Sequence, residues 1–170
     1  MTLRITENIV AALIRHGRAE EPNEACGYLG AKDGVIDLHI ELTNVDAAPD
    51  HYTMDPAEQF AAIRTIRERG RAVAAVYHTH PETPARPSLE DIRLANDPDI
   101  VYVIASLMYG VDSVRAYRIR GGVVTDVPLQ IVRGTQSISK LPLDLATRKQ
   151  FTTTPIYSGW TDTHKSQQET

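Results

Sequence analysis

The tightest restriction on how this chain can fold is a hairpin signal in its first quarter. Lys32-Asp33-Gly34 separates two stretches, residues 25–31 and 35–43, that are predicted to be strands. Asp-Gly suits a tight turn, so the two strands are expected to pair as antiparallel neighbours. In the second strand apolar residues alternate with polar ones: Ile36, Leu38, Ile40 and Leu42 against Asp37, His39 and Glu41. One face is therefore predicted to be buried, and the face that carries His39 to be exposed.

Three helices are predicted from apolar residues at helical spacing and from the residues at their starts. Residues 6–18 form the first helix, with Thr6 as a candidate N-cap. Residues 55–69 form the second, in which a proline occupies the favoured first helical position. Residues 88–96 form the third.

Further strands are predicted in the second half of the chain. Residues 73–77 are apolar, and residues 100–107 are apolar enough for the centre of a sheet. Residues 111–120 and 123–131 are predicted to form a closing hairpin around a Gly-Gly pair. Together these elements predict an α+β fold, in which helices pack against a mostly antiparallel sheet.

The length and a change of composition suggest the domain organisation. The 170 residues suit one domain, which is predicted to span residues 1–132. Residues 133–170 are rich in Thr, Ser, Gln and Lys and are predicted to be a C-terminal extension, extended or partly disordered. The sequence leaves open whether this extension covers a functional site, forms a homodimer or does neither.

Charge and composition exclude some classes of function. The formal net charge of −4 argues against a dedicated nucleic-acid binder. No run approaches the ~18 apolar residues of a membrane span, and the N-terminus lacks the unbroken apolar stretch of a signal peptide. The single cysteine, Cys26, permits no internal disulfide, so a soluble cytoplasmic protein is expected. Cys26 is interpreted as a small core residue rather than a site contact or a redox handle.

The candidate chemistry begins where the strand at 73–77 continues into His78-Thr79-His80-Pro81. Side chains at i and i+2 of a strand point the same way, so both imidazoles can reach one point. Ser88 and Asp91 follow at the start of the third helix, where a loop folding back would bring Asp91 beside the histidines. Two imidazoles and one carboxylate leave a fourth position open, the catalytic form of a zinc site that can activate a water.

Ser88 and Asp91 also have a purely structural interpretation, because Ser-x-x-Asp before an apolar helix is a capping box. A hydrolytic metal site also needs a general base. Glu24, just before the first predicted strand, is the candidate, and the other acidic residues compete on charge alone: Glu20, Glu21, Glu41 and Glu58. Reasoning from the residues does not separate these five glutamates.

The whole pattern resembles the JAMM motif of the Jab/MPN metalloproteases, in which a glutamate is followed by His-x-His-Pro and then Ser-x-x-Asp. Here it comprises Glu24 and residues 78–91, HTHPETPARPSLED. Residues 24–30, 52–56 and 100–107 also resemble the small prokaryotic branch, which is similar to peptidases of sulfur-carrier proteins of the CysO-cysteine type. The likeness covers roughly residues 3–130.

The resemblance implies a fold, a metal and a set of roles. The fold would be the three-layer arrangement shared by MPN domains and cytidine deaminases. His78, His80 and Asp91 would bind Zn²⁺, Glu24 would be the general base, and Ser88 would donate a hydrogen bond to the developing oxyanion. The implied substrate is a ubiquitin-like or sulfur-carrier protein, cut by a zinc-bound water at the peptide or isopeptide bond after its C-terminal Gly-Gly tail.

Two alternatives to an active peptidase are compatible with parts of this pattern. A catalytically silent MPN scaffold would bind a ubiquitin-like partner without cutting it, but such scaffolds usually lack metal ligands that this chain keeps. A zinc deaminase would need Pro-Cys-x-x-Cys, which one cysteine cannot supply.

Overall fold

The computed structural model describes residues 2–108 and 113–134. Along the chain these residues form β1 (Leu3–Thr6), α1 (Glu7–Glu20), β2 (Cys26–Lys32), β3 (Val35–Leu42), α2 (Pro56–Glu68), β4 (Ala72–His80), α3 (Leu89–Leu94), β5 (Val101–Ser106), β6 (Val114–Arg120), β7 (Val123–Val127) and β8 (Leu129–Val132). No helix among them is long and apolar enough to cross a membrane.

All eight of these strands belong to one mixed sheet, in the spatial order β7-β6-β5-β4-β2-β3-β1-β8. The predicted hairpins, β2 with β3 and β6 with β7, are antiparallel, as are β2 with β4 and β5 with β6. The pairs β1 with β3, β1 with β8, and β4 with β5 are parallel. The predicted α+β class is confirmed, although the sheet contains more parallel pairing than the sequence suggested.

Helices α1 and α2 cover opposite faces of this sheet. Apolar residues of α1 pack into one buried cluster with strand residues: Ile9, Val10 and Leu13 with Leu29, Tyr77 and Val103. Residues of α2 pack into another: Ala62 and Ile66 with Cys26, Leu38, Ile40 and Leu42. Neighbours along a strand point to opposite faces, and Tyr28 and Leu29 accordingly belong to different clusters. The result is the expected three-layer arrangement.

The starts of α2 and α3 are fixed by side-chain caps. Asp55 accepts hydrogen bonds from the N–H groups of Ala57 and Glu58, at 2.8 and 3.0 Å, and Pro56 occupies the favoured first turn. Thr6 stands at the N-cap of α1, but its side chain makes no capping bond. Residues 3–6 instead form β1, which the sequence did not predict.

The exposed position predicted for His39 is wrong. His39 is only 5% exposed, and its ring lies 6.1 Å from the ring of Tyr77. The reason is that β3 lies inside the sheet, where α1 packs over the face that alternation alone marks as polar.

The single strand predicted at 123–131 is two strands. Pro128 lacks an N–H group and interrupts the ladder. β7 ends before it and pairs with β6, whereas β8 follows it and pairs with β1 at the opposite edge of the sheet. α3 is also shorter than predicted and ends at Leu94. The predicted C-terminal extension lies outside the described residues from position 135 onward.

Gly27 provides a test of how closely β2 packs. A Cβ added at Gly27 would overlap the carbonyl oxygen of Ile40 and lie 2.7 Å from Cε1 of the buried Tyr77. A Cβ at Gly30 would meet the end of a side chain instead, Cγ2 of Ile66, at 3.2 Å. We expect Gly27→Ala to lower the free energy of unfolding by about 3 kcal/mol or more and Gly30→Ala by less than about 1 kcal/mol. Urea unfolding checks both, and equal losses would contradict the packing.

Candidate metal centre

The end of β4 places both histidines of the His-x-His run on one sheet face. β4 lies between β2 and β5, and His78 is opposite Cys26 in the first pairing and Ile104 in the second. Both imidazoles are buried, at 1% and 4% exposure, and their Nε2 atoms lie 3.0 Å apart. The predicted convergence of His78 and His80 is therefore observed.

Asp91, in the first turn of α3, also approaches the two imidazoles. Ser88 caps this helix: its Oγ accepts a hydrogen bond from the Asp91 N–H at 3.0 Å, and Asp91 Oδ2 accepts from the Ser88 N–H at 2.7 Å. This capping box fixes the carboxylate, whose Oδ1 lies 3.2 Å from His78 Nε2 and whose Oδ2 lies 3.6 Å from His80 Nε2. The structural interpretation and the ligand interpretation of Asp91 are thus compatible.

Glu24 reaches the same point from the residues before β2. Its carboxylate is 4% exposed, and Oε1 lies 3.8 Å from His80 Nε2. The backbone is held by Thr79, whose N–H donates to the Ala25 carbonyl and whose Oγ1 accepts from the Ala25 N–H, both at 2.9 Å. Glu24, His78 and His80 consequently form a group of ligand atoms within 4.8 Å of one another.

The competing glutamates are engaged elsewhere or face solvent. Glu21 pairs with Arg18, Glu41 lies 3.3 Å from His39, and Glu58 accepts hydrogen bonds from Thr43. Glu20 is exposed at the end of α1. Among the five glutamates that the sequence left open, Glu24 is the one whose carboxylate lies beside the histidines.

The two carboxylates beside the histidines, Glu24 and Asp91, favour opposite charge states. Burial raises the pKa of Glu24 to about 8, although the positive charge of His80 opposes the shift. Burial also acts to raise the pKa of Asp91, but the hydrogen bonds from His78 and His80 outweigh it and hold that pKa well below its ordinary value. Asp91 is therefore the permanently charged member. A nearby cation would favour the ionised form of Glu24, so metal loading and the charge of Glu24 are coupled.

The two imidazoles also differ. Burial lowers the pKa of His78 despite its contact with Asp91. Burial acts on His80 in the same direction, but hydrogen bonds to Asp91 and to the Pro84 carbonyl, with the charge of Glu24, raise the pKa of His80. A neutral imidazole binds a metal through its free nitrogen lone pair, so the low pKa of His78 favours metal binding near neutral pH.

The arrangement fits a zinc ion. Tetrahedral zinc with bonds of about 2.0–2.1 Å holds neighbouring ligand atoms roughly 3.3 Å apart. His78 Nε2 lies 3.0 Å from His80 Nε2 and 3.2 Å from Asp91 Oδ1, and His80 Nε2 lies 3.6 Å from Asp91 Oδ2. These three distances bracket that value. The carboxylates of Glu24 and Asp91 also lie beside the two imidazole nitrogens, and a divalent cation would balance their negative charge.

The outer nitrogens of the two histidines have different surroundings. His80 Nδ1 lies 2.9 Å from the Pro84 carbonyl oxygen. His78 Nδ1 is buried and has no hydrogen-bond partner among the described residues. The ring of Tyr52 stacks on His78 instead, with centroids 4.8 Å apart and planes inclined by 28°. Sequence reasoning gave Tyr52 no role, because nothing in a loop sequence signals such a stack.

Cys26 is a core residue, as predicted. It is fully buried, and its Sγ donates a weak hydrogen bond to the Leu42 carbonyl at 3.6 Å. Burial raises the pKa of the thiol to about 12, which keeps it protonated and unreactive.

A cleft of about 500 Å³ opens beside Asp91. Three tyrosines and four carboxylates are among the residues that line it: Tyr28, Tyr52, Tyr102, Asp50, Glu90, Asp91 and Asp97. Its described lining includes no lysine or arginine, and its histidine, His51, lies 3.0 Å from Asp50. The cleft therefore offers aromatic walls and negative charge next to the histidines.

Comparison with known proteins places these features in a family. Residues 6–120 match the family described as prokaryotic homologs of the JAB domain. The CysO-cysteine peptidase of Mycobacterium tuberculosis is 35% identical over 133 residues, which cover 76% of this chain and 91% of that protein. The probable TtuB-protein conjugate cleaving protease of Thermus thermophilus is 29% identical over 123 residues, covering 72% and 79% of the two chains.

A solved structure shows the same fold. The crystal structure of a JAB1/MPN domain protein from Archaeoglobus fulgidus superposes with a TM-score of 0.53 and covers 75% of this chain and 97% of that one. At 20% sequence identity the likeness concerns the fold alone, and it confirms the predicted MPN-type arrangement.

Zinc content tests the centre directly. We expect about one zinc per chain in the purified protein, because the donor set suits a single ion. Asp91→Asn keeps an oxygen that can accept from the Ser88 N–H but removes the charge, so it should lose most of the metal while α3 remains capped. Elemental analysis after dialysis measures the metal, with the neighbouring Glu90→Gln as the matched control. A wild-type protein without zinc, or an Asp91→Asn variant with full zinc, would contradict the site.

Proposed function

We propose that this chain, which belongs to the prokaryotic homologues of the JAB domain and is a metallopeptidase of the JAMM type, hydrolyses the bond that follows the Gly-Gly tail of a ubiquitin-like or sulfur-carrier protein. One observation carries the proposal. Two histidines and two carboxylates meet at one point that adjoins an open cleft.

The substrate class rests on the relatives. The Mycobacterium tuberculosis relative is named for CysO-cysteine and the Thermus thermophilus relative for conjugates of TtuB. The first of these is covered over 91% of its length, so the likeness extends well beyond the motif. Both names describe the cleavage of a group joined to a named protein, and we propose for this chain a carrier protein that is conjugated at its C-terminus.

We assign the metal to His78, His80 and Asp91. Asp91 approaches both imidazoles, is fixed by the Ser88 N–H and keeps its charge, which are the properties of a ligand. Zn²⁺ held there would act as a Lewis acid on the substrate carbonyl and lower the pKa of a water. His80 is oriented for this task by the Pro84 carbonyl.

We assign proton transfer to Glu24. A general base works best when its pKa lies near the working pH. Burial raises the pKa of Glu24 to about 8, and Zn²⁺ beside it would favour the ionised form, which is the form that accepts a proton. In the proposed reaction the Glu24 carboxylate accepts a proton from the attacking water and passes it to the nitrogen of the leaving group. The Ser88 hydroxyl already accepts the Asp91 N–H, so its own hydrogen remains to stabilise charge that develops on the substrate carbonyl oxygen.

We also propose that residues 1–132 form the peptidase domain and that residues 133–170 are an appended extension. β8 ends at Val132 at the edge of the sheet, and the family match ends at residue 120, before the extension begins. The acidic cleft would hold the tail of the carrier beside the zinc ligands.

Glu24→Gln tests the proton-transfer role. The variant keeps the shape of the side chain but cannot act as a base, so turnover should fall by about 10²- to 10⁴-fold while zinc content stays unchanged. The measurement is mass spectrometry of carrier proteins ending in Gly-Gly-X, incubated with wild type and variant. Glu21→Gln, at an exposed ion pair with Arg18, is the matched control and should keep full activity.

The outcomes separate the parts of this proposal. Full activity in Glu24→Gln would move the base role to another group. A zinc-loaded wild type that binds such carriers but never cuts them would favour the silent scaffold.

The charge of the cleft predicts a preference within the substrate class. Carriers with a basic residue shortly before Gly-Gly should be cleaved about fivefold faster than those with an acidic residue there, since one exposed pair is worth ~1 kcal/mol. Replacing both Asp50 and Asp97 by Asn, or adding salt, should reduce the preference. Glu82→Gln, an exposed acid outside the cleft lining, is the control. Steady-state kinetics on matched peptides measure the ratio, and equal rates in wild type would refute the preference.

A further inference from the structure

The two histidines of the metal centre are oriented by different means. Histidines that bind metals almost always donate their other ring N–H to an oxygen, which fixes the plane of the ring. His80 follows this rule through the Pro84 carbonyl. His78 does not follow it within the described part of the chain, although it is the more deeply buried of the two.

The neighbour that does touch the face of His78 is Tyr52. The two rings are stacked at 4.8 Å between centroids, within the range of aromatic pairs that attract one another. A stacked ring restricts rotation of the imidazole about its Cβ–Cγ bond just as a hydrogen bond would, because any large rotation would drive the imidazole into the tyrosine.

We infer that Tyr52 is a positioning residue for the zinc centre, whose ring holds His78 in the plane that metal binding requires. The inference rests on the proposed assignment of His78 as a ligand. The stacked ring orients His78, as the hydrogen bond to the Pro84 carbonyl orients His80. An imidazole that donates electron density to a cation also becomes more positive, which strengthens its attraction to the electron-rich face of the tyrosine.

The loop that carries Tyr52 is fixed well enough for this role. Asn44 forms an isolated bridge with Met54, and its Oδ1 accepts from the Thr53 N–H at 3.2 Å. Its Nδ2 donates to the His51 carbonyl and to the Glu24 carbonyl, both at 3.1 Å. The residues on both sides of Tyr52 are thus tied to the side chain that also holds the backbone of the proposed base.

Tyrosine and phenylalanine differ in a way that separates stacking from other roles. Tyr52→Phe keeps the ring face and removes the hydroxyl, whereas Tyr52→Leu removes the face and keeps an apolar side chain. Tyr102 lines the same cleft but is not among the rings stacked on His78, so Tyr102→Leu is the matched control.

The test is the affinity for Zn²⁺ alone, measured by competition with a chromophoric chelator. Tyr52→Leu should bind zinc about tenfold to a hundredfold more weakly than wild type, the usual effect of removing an outer-shell partner. Tyr52→Phe and Tyr102→Leu should stay within about threefold. The absorption spectrum of bound Co²⁺ should differ from that of wild type in Tyr52→Leu and should match it in Tyr52→Phe. A general loss of stability would not produce this difference between the two variants.

Three results would overturn the inference: unchanged zinc affinity in Tyr52→Leu, an equal loss in Tyr52→Phe, or an equal loss in Tyr102→Leu. Thermal unfolding in EDTA checks that each variant folds. If Tyr52→Leu does not, Tyr52→Met fills more of the space without a π face and carries the same expectation. A wild-type protein that binds no zinc would refute the proposed metal centre itself, which is a different result from wild-type binding that is insensitive to Tyr52.

Discussion

The pair of hydrogen bonds between Thr79 and Ala25 is the interaction on which the rest of the site depends. Thr79 lies between the two histidines, and both its N–H and its Oγ1 are used by the backbone of Ala25. The same contact therefore sets the position of β4 and of the residue after Glu24. Asn44 Nδ2 also donates to the Glu24 carbonyl, and these contacts together hold a glutamate from before β2 within 3.8 Å of His80.

The site concentrates charge where burial disfavours it, and the surrounding structure shows how this is tolerated. Asp91 keeps its charge because a helix N-terminus and two imidazoles stabilise it. Glu24 has no such support beyond His80, and burial shifts its pKa toward neutrality. In the proposed mechanism, this unequal stabilisation of two neighbouring carboxylates would separate a ligand, Asp91, from a proton carrier, Glu24.

The sequence predicted those parts of the molecule that depend on short-range patterns. The hairpin at Asp33-Gly34, the second helix with Pro56 in its first turn and the convergence of His78 with His80 all follow from residues close together in the chain. Asp91 was predicted from the capping spacing combined with the histidines. Glu24 could not be separated from its competitors on these grounds, because its proximity comes from strand pairing across 54 residues.

The remaining differences have similar causes. β1 is short, and it pairs with strands that lie far along the chain, so its own residues give little signal. Burial of His39 arises from packing of α1 onto a face that alternation marks as polar. The stack of Tyr52 on His78 arises from the path of a loop, which residue types alone do not determine.

Asn44 limits how this scaffold can be redesigned. The loop between β3 and α2 forms one wall of the cleft, so under the proposed function it is the segment to exchange for a different substrate tail. Asn44 is the second residue of that loop, and it also holds the Glu24 carbonyl. A transplanted loop would therefore have to keep an asparagine at its second position and an aromatic ring two residues before Met54. A loop graft that removed Asn44 would therefore change the wall of the cleft and the position of Glu24 in the same step.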